Sequence, residues 1–291
     1  MSALKSYLAS LQNSEILLPK IREWLAVQAA RGRADRRIVA NGIKHDASLS
    51  IETFARRRDE YDHHGDNEFG DYFHPSRIGG CPRAAAFGAF GVTMVGNESG
   101  AELTRMHFTF EVGTYFHVLF QNLCSRAGLL LRREVQVRDD ENKIIGHCDG
   151  VLRLPKAGNP LLEIKTISPN QFPGLKAPKP EHIEQAQLYM HALKKRAVVF
   201  VYYNKGSSEL KEYTVAYSAA LVKVLIARIN DQRSNIASKV LPSRDGRTPY
   251  HMQCKYCSFS PLCFSSSKLE KFLKDKKVKD LDTSVMSFNL K

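Results

Sequence analysis

The sequence predicts a mixed α/β fold, a β-sheet core flanked by helices. Two patterns carry this. A long helix-period run is followed by three strand-period runs, and a further helix separates these from two more strands. From Glu102 to Arg126 apolar residues recur at helical spacing through Met106, Phe110, Phe116, Phe120 and Leu123. The runs "LLLRREVQVRD", "KIIGHCDGVLRL" and "PLLEIKTIS" then read as strands. "PEHIEQAQLYMHALK" is a helix opened by Pro180, a residue tolerated in a first helical turn because the N–H it lacks would be unpaired there. "AVVFVYY" reads as a buried strand, "LKEYTVAY" as an alternating one, and a long helix is expected over about 219–239. No internal repeat or low-complexity region is evident.

A chain of 291 residues with 43% apolar and 25% charged residues suits one large domain, or one domain with appendages. Its charge balance is less ordinary: 43 Lys+Arg against 30 Asp+Glu, net +13. Such an excess favours a polyanionic partner, nucleic acid being the commonest, although a basic but unspecialised surface has the same composition. No apolar segment is long enough to span a bilayer, and the first twenty residues lack the apolar run of a signal peptide. Lys5, Glu15 and Lys20 fit a polar-faced amphipathic helix there. A soluble, cytoplasmic protein without a membrane partner is expected.

Three regions are expected along the chain: a basic helical N-terminal region over 1–73, a core over 74–265, and a Lys-rich tail over 266–291. In the first, "ARGRADRR" (30–37) reads either as a solvated helix face or as a phosphate contact. "YDHHGDNEFGDYFHPS" (61–76) reads as a loop whose His63 and His64 only imitate a metal site. The tail reads as a solvated helix or a partly disordered segment.

Six cysteines are present, and a chain of this size in a reducing compartment does not need disulfides. "CKYCSFSPLC" instead places Cys254, Cys257 and Cys263 at the compact spacing a metal requires. Three thiolates leave one tetrahedral position, so a fourth ligand is expected from elsewhere. Cys124, beside Phe120 and Leu123, and Cys148, alternating away from Asp149, read as structural.

In "LLEIKTIS" strand alternation points Leu162 and Ile164 one way and Glu163 and Lys165 the other. An amphipathic strand with a self-cancelling charge pair has this pattern; so does half of a metal site. Upstream lies Asp149 in "GHCDG", and a turn through "PKAGNP" can bring it beside Glu163 on a neighbouring antiparallel strand. Two carboxylates so placed make a hard-oxygen site for Mg²⁺ or Mn²⁺. Beside them the Lys165 ammonium can orient a water and offset charge on a phosphoryl group. Gln185 and Tyr189 stand at i and i+4, with His182 one turn earlier, a face suited either to a groove or to an ordinary amphipathic helix. His117 follows Gly113 by four residues and reads by itself as a core histidine. His147, two residues before Asp149 on one strand face, is its rival as a ligand.

Taken in order, Gly113-x-x-x-His117, Gly146-x-x-Asp149-Gly150, Glu163-x-Lys165 and Gln185-x-x-x-Tyr189 resemble the RecB-like branch of the PD-(D/E)XK nuclease superfamily. With Cys81 upstream and three cysteines downstream, the layout is similar to the iron–sulfur exonucleases typified by the CRISPR-associated RecB-like family and the AddB nuclease domain. The resemblance covers about 74–265. It implies a restriction-endonuclease-like fold whose periphery is closed by a 4Fe–4S cluster on Cys81, Cys254, Cys257 and Cys263. It implies a Mg²⁺- or Mn²⁺-dependent exonuclease acting on single strands or duplex ends of DNA in recombination, repair or CRISPR adaptation, and leaving 5′-phosphates. Asp149, Glu163, the Ile164 carbonyl and His117 would hold the ion, Lys165 would orient the attacking water, and Gln185 and Tyr189 would position DNA or Lys165. Arg83 would contact a phosphate near the cluster. Recombination or CRISPR-adaptation proteins and a second copy of the chain are candidate partners. Four cysteines are also a zinc signature. A non-hydrolytic DNA-binding recombination accessory protein and a zinc-stabilised site-specific endonuclease are the alternatives.

Overall fold

The computed structural model describes residues 4, 7, 14–30, 72–92, 100–255 and 257–282. In chain order the helices and strands are α1 (Leu18–Ala30), α2 (Pro82–Ala89), α3 (Gly100–Arg126), β1 (Leu130–Asp139), β2 (Ile144–Leu152), β3 (Leu161–Ile167), α4 (Pro180–Ala192), β4 (Ala197–Asn204) and β5 (Leu210–Ala216). There follow α5 (Ala219–Ala237), β6 (Val240–Leu241), the short α6 (Met252–Lys255) and α7 (Ser260–Cys263), α8 (Ser266–Lys276) and β7 (Lys279–Asp280). The periodic segments therefore form as their spacing predicts. Among the described residues no helix is long and apolar enough to cross a membrane.

The chain forms two compact units, each discontinuous in sequence: residues 1–78 with 104–224, and 79–103 with 225–291. A reading along the chain expects contiguous regions, whereas here the chain leaves one unit and returns to it.

The first unit is built on a five-stranded sheet in the order β1-β2-β3-β4-β5, antiparallel except for the β3–β4 pair. The parallel pair needs a crossover, and α4 lies within it. On one face Leu162, Ile164, Val199 and Val201 pack with Leu17, Leu18 and Ile21 and with Phe120 and Cys124 of α3. Alternation sends Glu163, Lys165, Phe200 and Tyr202 to the opposite face, where α4 meets them through a Lys165–Gln185 hydrogen bond.

A buried acid fixes the start of α1. The Glu212 carboxylate on β5 accepts the N–H groups of Ile16, Leu17 and Leu18 at 2.6–3.1 Å. A helix N-terminus leaves such donors unpaired, and an anion there also meets the favourable end of the dipole. Residues 14–17 are thus an anchored entry to α1 rather than part of a helix over the first twenty residues. "ARGRADRR" beyond Ala30, and His63 and His64, lie outside the described residues.

The second unit packs Ala86 and Phe87 of α2 with Leu241, Cys254, Cys263, Phe264, Leu269 and Val278. Phe87 stacks on Phe259 at 5.7 Å and meets Phe272 edge-on at 5.5 Å. Of the Lys-rich segment expected as a solvated helix or a partly disordered one, residues 266–276 are a helix that adds to this core. Leu269 and Val278 are buried, α8 ends at Lys277 in the left-handed conformation, and the chain then pairs as β7 with β6.

Candidate active site

The site arises where two strands part. β2 and β3 pair only at Gly150↔Leu162 and Val151↔Leu161; beyond that β2 stays with β1, and β3 runs on with β4. The Ile164 N–H donates to Asp149 Oδ2 at 2.5 Å, so a side chain stands where a ladder carbonyl would have stood. Both glycines of the Gly-x-x-Asp-Gly run have spatial reasons. A Cβ on Gly146 would lie 3.2 Å from the Tyr189 ring and hydroxyl, and one on Gly150 would lie 2.8 Å from the Arg132 carbonyl oxygen.

Around the gap the side chains form two linked sets. His117 Nδ1 lies 3.3 Å from Asp149 Oδ1. Lys165 Nζ lies 2.8 Å from Glu163 Oε2 and donates to Gln185 Oε1 at 3.2 Å, while Gln185 Nε2 donates to the Tyr189 hydroxyl at 2.9 Å. The structure thus brings together His117, Asp149, Ile164, Glu163, Lys165, Gln185 and Tyr189. His147 is exposed on β2 opposite Gln136.

Two neighbours have no sequence signature. Gln121, 2% exposed and one turn after His117, donates from Nε2 to Glu134 Oε1 at 2.6 Å and to the Asp149 carbonyl at 2.8 Å. Glu134 faces Asp149 across the β1–β2 pair in a left-handed backbone conformation, φ +42°. A non-glycine residue held there stores strain, a condition common beside functional sites. The i, i+4 spacing from His117 is the one signal that could have pointed to Gln121.

Charge and burial set the protonation pattern. Burial pushes the Glu163 carboxyl above its usual range, and the Lys165 ammonium only partly opposes this. Asp149 is held below its usual range: burial works against ionisation, but His117 and Lys165 outweigh it. Lys165 stays above its ordinary value, since the two acids overcome its burial. His117 is raised, its burial outweighed by Asp149.

The residues fit a divalent ion on one atom in particular. Glu163 is 2% exposed, and its Oε1 is buried without a hydrogen-bond partner. A buried carboxylate oxygen left unpaired is costly, and a hard cation is the partner that two carboxylates and an imidazole select. Among the described residues no three His, Cys, Asp or Glu side chains close on a common point. Oε2 of Glu163 is held by Lys165 and Oδ2 of Asp149 by Ile164, which leaves Oε1 as the atom to be satisfied.

In the second unit Cys81, Cys254, Cys257 and Cys263 are free thiols lining one cavity. Burial raises the Cys254 and Cys263 thiols, and the nearby Cys81 adds to the effect on both. Cys124 and Cys148 belong to the first unit and are fully buried; burial, with a smaller push from Glu212, raises Cys124 to about 12. The expectation for Arg83 is corrected. It is 1% exposed, donates to both oxygens of Asp280 at 2.6 and 2.7 Å and to the Pro242 carbonyl at 2.7 Å, and lies 3.5 Å from Asp282. A guanidinium so enclosed is a core ion pair and is not presented to a phosphate.

Several crystal structures are similar to the chain. The crystal structure of SSO0001 shares 16% identity at a TM-score of 0.48, covering 75% of this chain and 96% of that one. An alkaline exonuclease from Laribacter hongkongensis shares 14% at a TM-score of 0.39, covering 58% and 89%. A phage-related exonuclease from Haemophilus somnus 129PT shares 17% at a TM-score of 0.35, covering 53% and 78%. No protein-family model and no curated protein matches the sequence.

Proposed function

We propose that the first unit is a Mg²⁺- or Mn²⁺-dependent deoxyribonuclease of the PD-(D/E)XK type, acting as an exonuclease on single strands or duplex ends. The observation that carries this reading is the unpaired Glu163 Oε1 beside the His117–Asp149 and Lys165–Gln185–Tyr189 sets. Asp149, Glu163, His117 and the Ile164 carbonyl would hold the ion. When bound, it supplies charge neutralisation at the phosphodiester and a more acidic water. Lys165 would orient the attacking water and face the charge growing on the phosphoryl oxygens, while Gln185 fixes the ammonium and Tyr189 fixes Gln185. With its pKa raised, Lys165 acts as a donor and is no base at neutral pH. DNA is the proposed substrate, in line with the net charge of +13. Recombination, repair or CRISPR adaptation is the proposed setting.

For the second unit the proposed group is a 4Fe–4S cluster on Cys81, Cys254, Cys257 and Cys263. The support is that all four thiols, from two stretches far apart in the chain, line one cavity, and four cysteines are the ligand set such a cluster takes.

A time course on 5′- and 3′-labelled single strands, duplexes and circles, with and without Mg²⁺ or Mn²⁺, tests the catalytic reading. Metal-dependent loss of ends is expected. Tight binding without cleavage under any metal would make the chain an accessory DNA-binding protein, and discrete fragments from closed plasmid would make it an endonuclease.

A further inference from the structure

The cavity that the four cysteines line is also lined by Arg83, Arg244 and Arg247. Two of these cations are already matched by acids. Arg83 is paired with Asp280, and Arg244 Nε donates to Asp282 at 2.5 Å; the two acids are only 12% and 13% exposed. Arg244 also donates to the Cys263 carbonyl at 3.0 Å. Arg83 reaches the Cys263 sulfur as well, but its charge is balanced by Asp280. Arg247 differs. The acid beside it, Asp245, lies at 3.7 Å and is 67% exposed, so water and salt screen that pair. Its Nη1 instead lies 3.8 Å from Cys81 Sγ, hydrogen-bonding distance for a sulfur acceptor.

We propose that Arg247 is a positioning residue for the metal group of the second unit, its guanidinium donating to the Cys81 sulfur and offsetting the excess negative charge of the four-thiolate site. The inference rests on the cluster assignment above and goes beyond it. Four thiolates carry more negative charge than an iron–sulfur core neutralises, and each added electron increases the excess. A cationic N–H donor to a ligating sulfur favours the more negative level, which raises the reduction potential. Arg83 and Arg244, neutralised by buried carboxylates, contribute less to that balance. Arg247 is the cation whose charge is left to the sulfurs.

The test uses the full chain, purified without oxygen, as the parent, Arg247→Ala and Arg247→Lys. Iron per chain is measured, followed by a one-electron reductive titration with dithionite and mediators, read by visible absorption and electron paramagnetic resonance. All three proteins should hold the same iron. At a potential where half of the parent is reduced, Arg247→Ala should show about a tenfold higher ratio of oxidised to reduced cluster, a midpoint ~59 mV lower for one electron. Arg247→Lys, which keeps the charge without the fork, should fall between. Iron lost in Arg247→Ala but kept in Arg247→Lys would support the same role through binding. Equal midpoints with equal iron would overturn the role of Arg247 while the cluster stands. A parent chain without iron would overturn the cluster and this inference with it.

Discussion

The Asp149 carboxylate accepts the Ile164 N–H at 2.5 Å at the point where β2 and β3 stop pairing. One oxygen closes the backbone and the other, 3.3 Å from His117 Nδ1, faces the site. The two jobs separate on substitution. Asp149→Asn keeps an acceptor for Ile164 but loses the charge, so stability should stay within about 1 kcal/mol while cleavage falls by at least about a hundredfold. Asp149→Ala should lose the same activity and a further 1–3 kcal/mol, roughly, from the unpaired N–H. Urea unfolding beside a labelled-DNA assay reads both; parental cleavage by the Asn variant would remove Asp149 from the chemistry.

Gly146 and Tyr189 form a second matched pair. With 3.2 Å between an added Cβ and the tyrosine, Gly146→Ala must displace the ring that Gln185 bonds. A cost of about 1–3 kcal/mol is expected for such overpacking, together with reduced cleavage as Gln185 loosens its hold on Lys165. Tyr189→Phe in that background should cost less than in the parent, because half of the clash is with the hydroxyl. Strict additivity in a double-mutant cycle would show that the two residues do not press on each other.

How much of this was legible in the sequence depended on range. Periodicity placed the helices and strands, and four short motifs named six side chains that the fold gathers around one gap. What escaped has partners far away in the chain. Glu212 anchors Leu17, and Arg83 pairs with Asp280, with no local pattern to announce either. Arg83 was misread for that reason, since an arginine beside a cysteine looks like a phosphate contact until its burial is known. The Lys-rich segment forms a largely solvated helix as its composition suggests, but the core roles of Leu269 and Val278 went unread because exposed lysines outnumber them.

Acid should expose His182. Burial, reinforced by Lys165 and Lys179, lowers its pKa to about 3 from an ordinary 6.5. The Tyr202 hydroxyl accepts the Lys179 N–H at 3.1 Å, so its own proton goes to His182 Nδ1 at 2.7 Å and the imidazole is neutral. The unfolded chain therefore binds this proton first. The contribution is complete above pH 6.5 and is lost as pH falls from there towards 3. His182→Gln should lower stability at pH 7 yet flatten its decline between pH 6.5 and 4, measured by urea midpoints. Parallel declines in the two proteins would show that His182 does not carry the effect.

Arg83→Ala leaves Asp280 without its buried cation, whereas Asp282 keeps Arg244, and should destabilise the protein by about 3–5 kcal/mol. Arg83→Lys keeps a charge and should fold, with DNA affinity equal to the parent. A tenfold loss of affinity in folded Arg83→Lys, measured by fluorescence anisotropy, would restore the phosphate contact that burial argues against.

The last expectation ranks two histidines. His147 shares a strand with Asp149, but residues i and i+2 on one strand stand ~6.6 Å apart with near-parallel side chains, which point together without converging. In the fold His147 is exposed, and its electrostatic neighbour is His74. His117 comes from α3 across the gap and already meets Asp149 at 3.3 Å, with 27% of its side chain open to the site. A helix laid across a parted strand pair can aim an imidazole back at the carboxylates, as ligation at about 2.0–2.2 Å requires. Imidazole suits Mn²⁺ better than Mg²⁺, so losing it should hurt the softer ion more. His117→Ala should therefore lose most cleavage, bind Mn²⁺ at least about tenfold more weakly by calorimetry, and narrow the Mn²⁺ advantage over Mg²⁺. His147→Ala should keep a substantial fraction of activity and the parental Mn²⁺ affinity. The reverse ranking across a metal titration would move the nitrogen ligand from the helix to the strand.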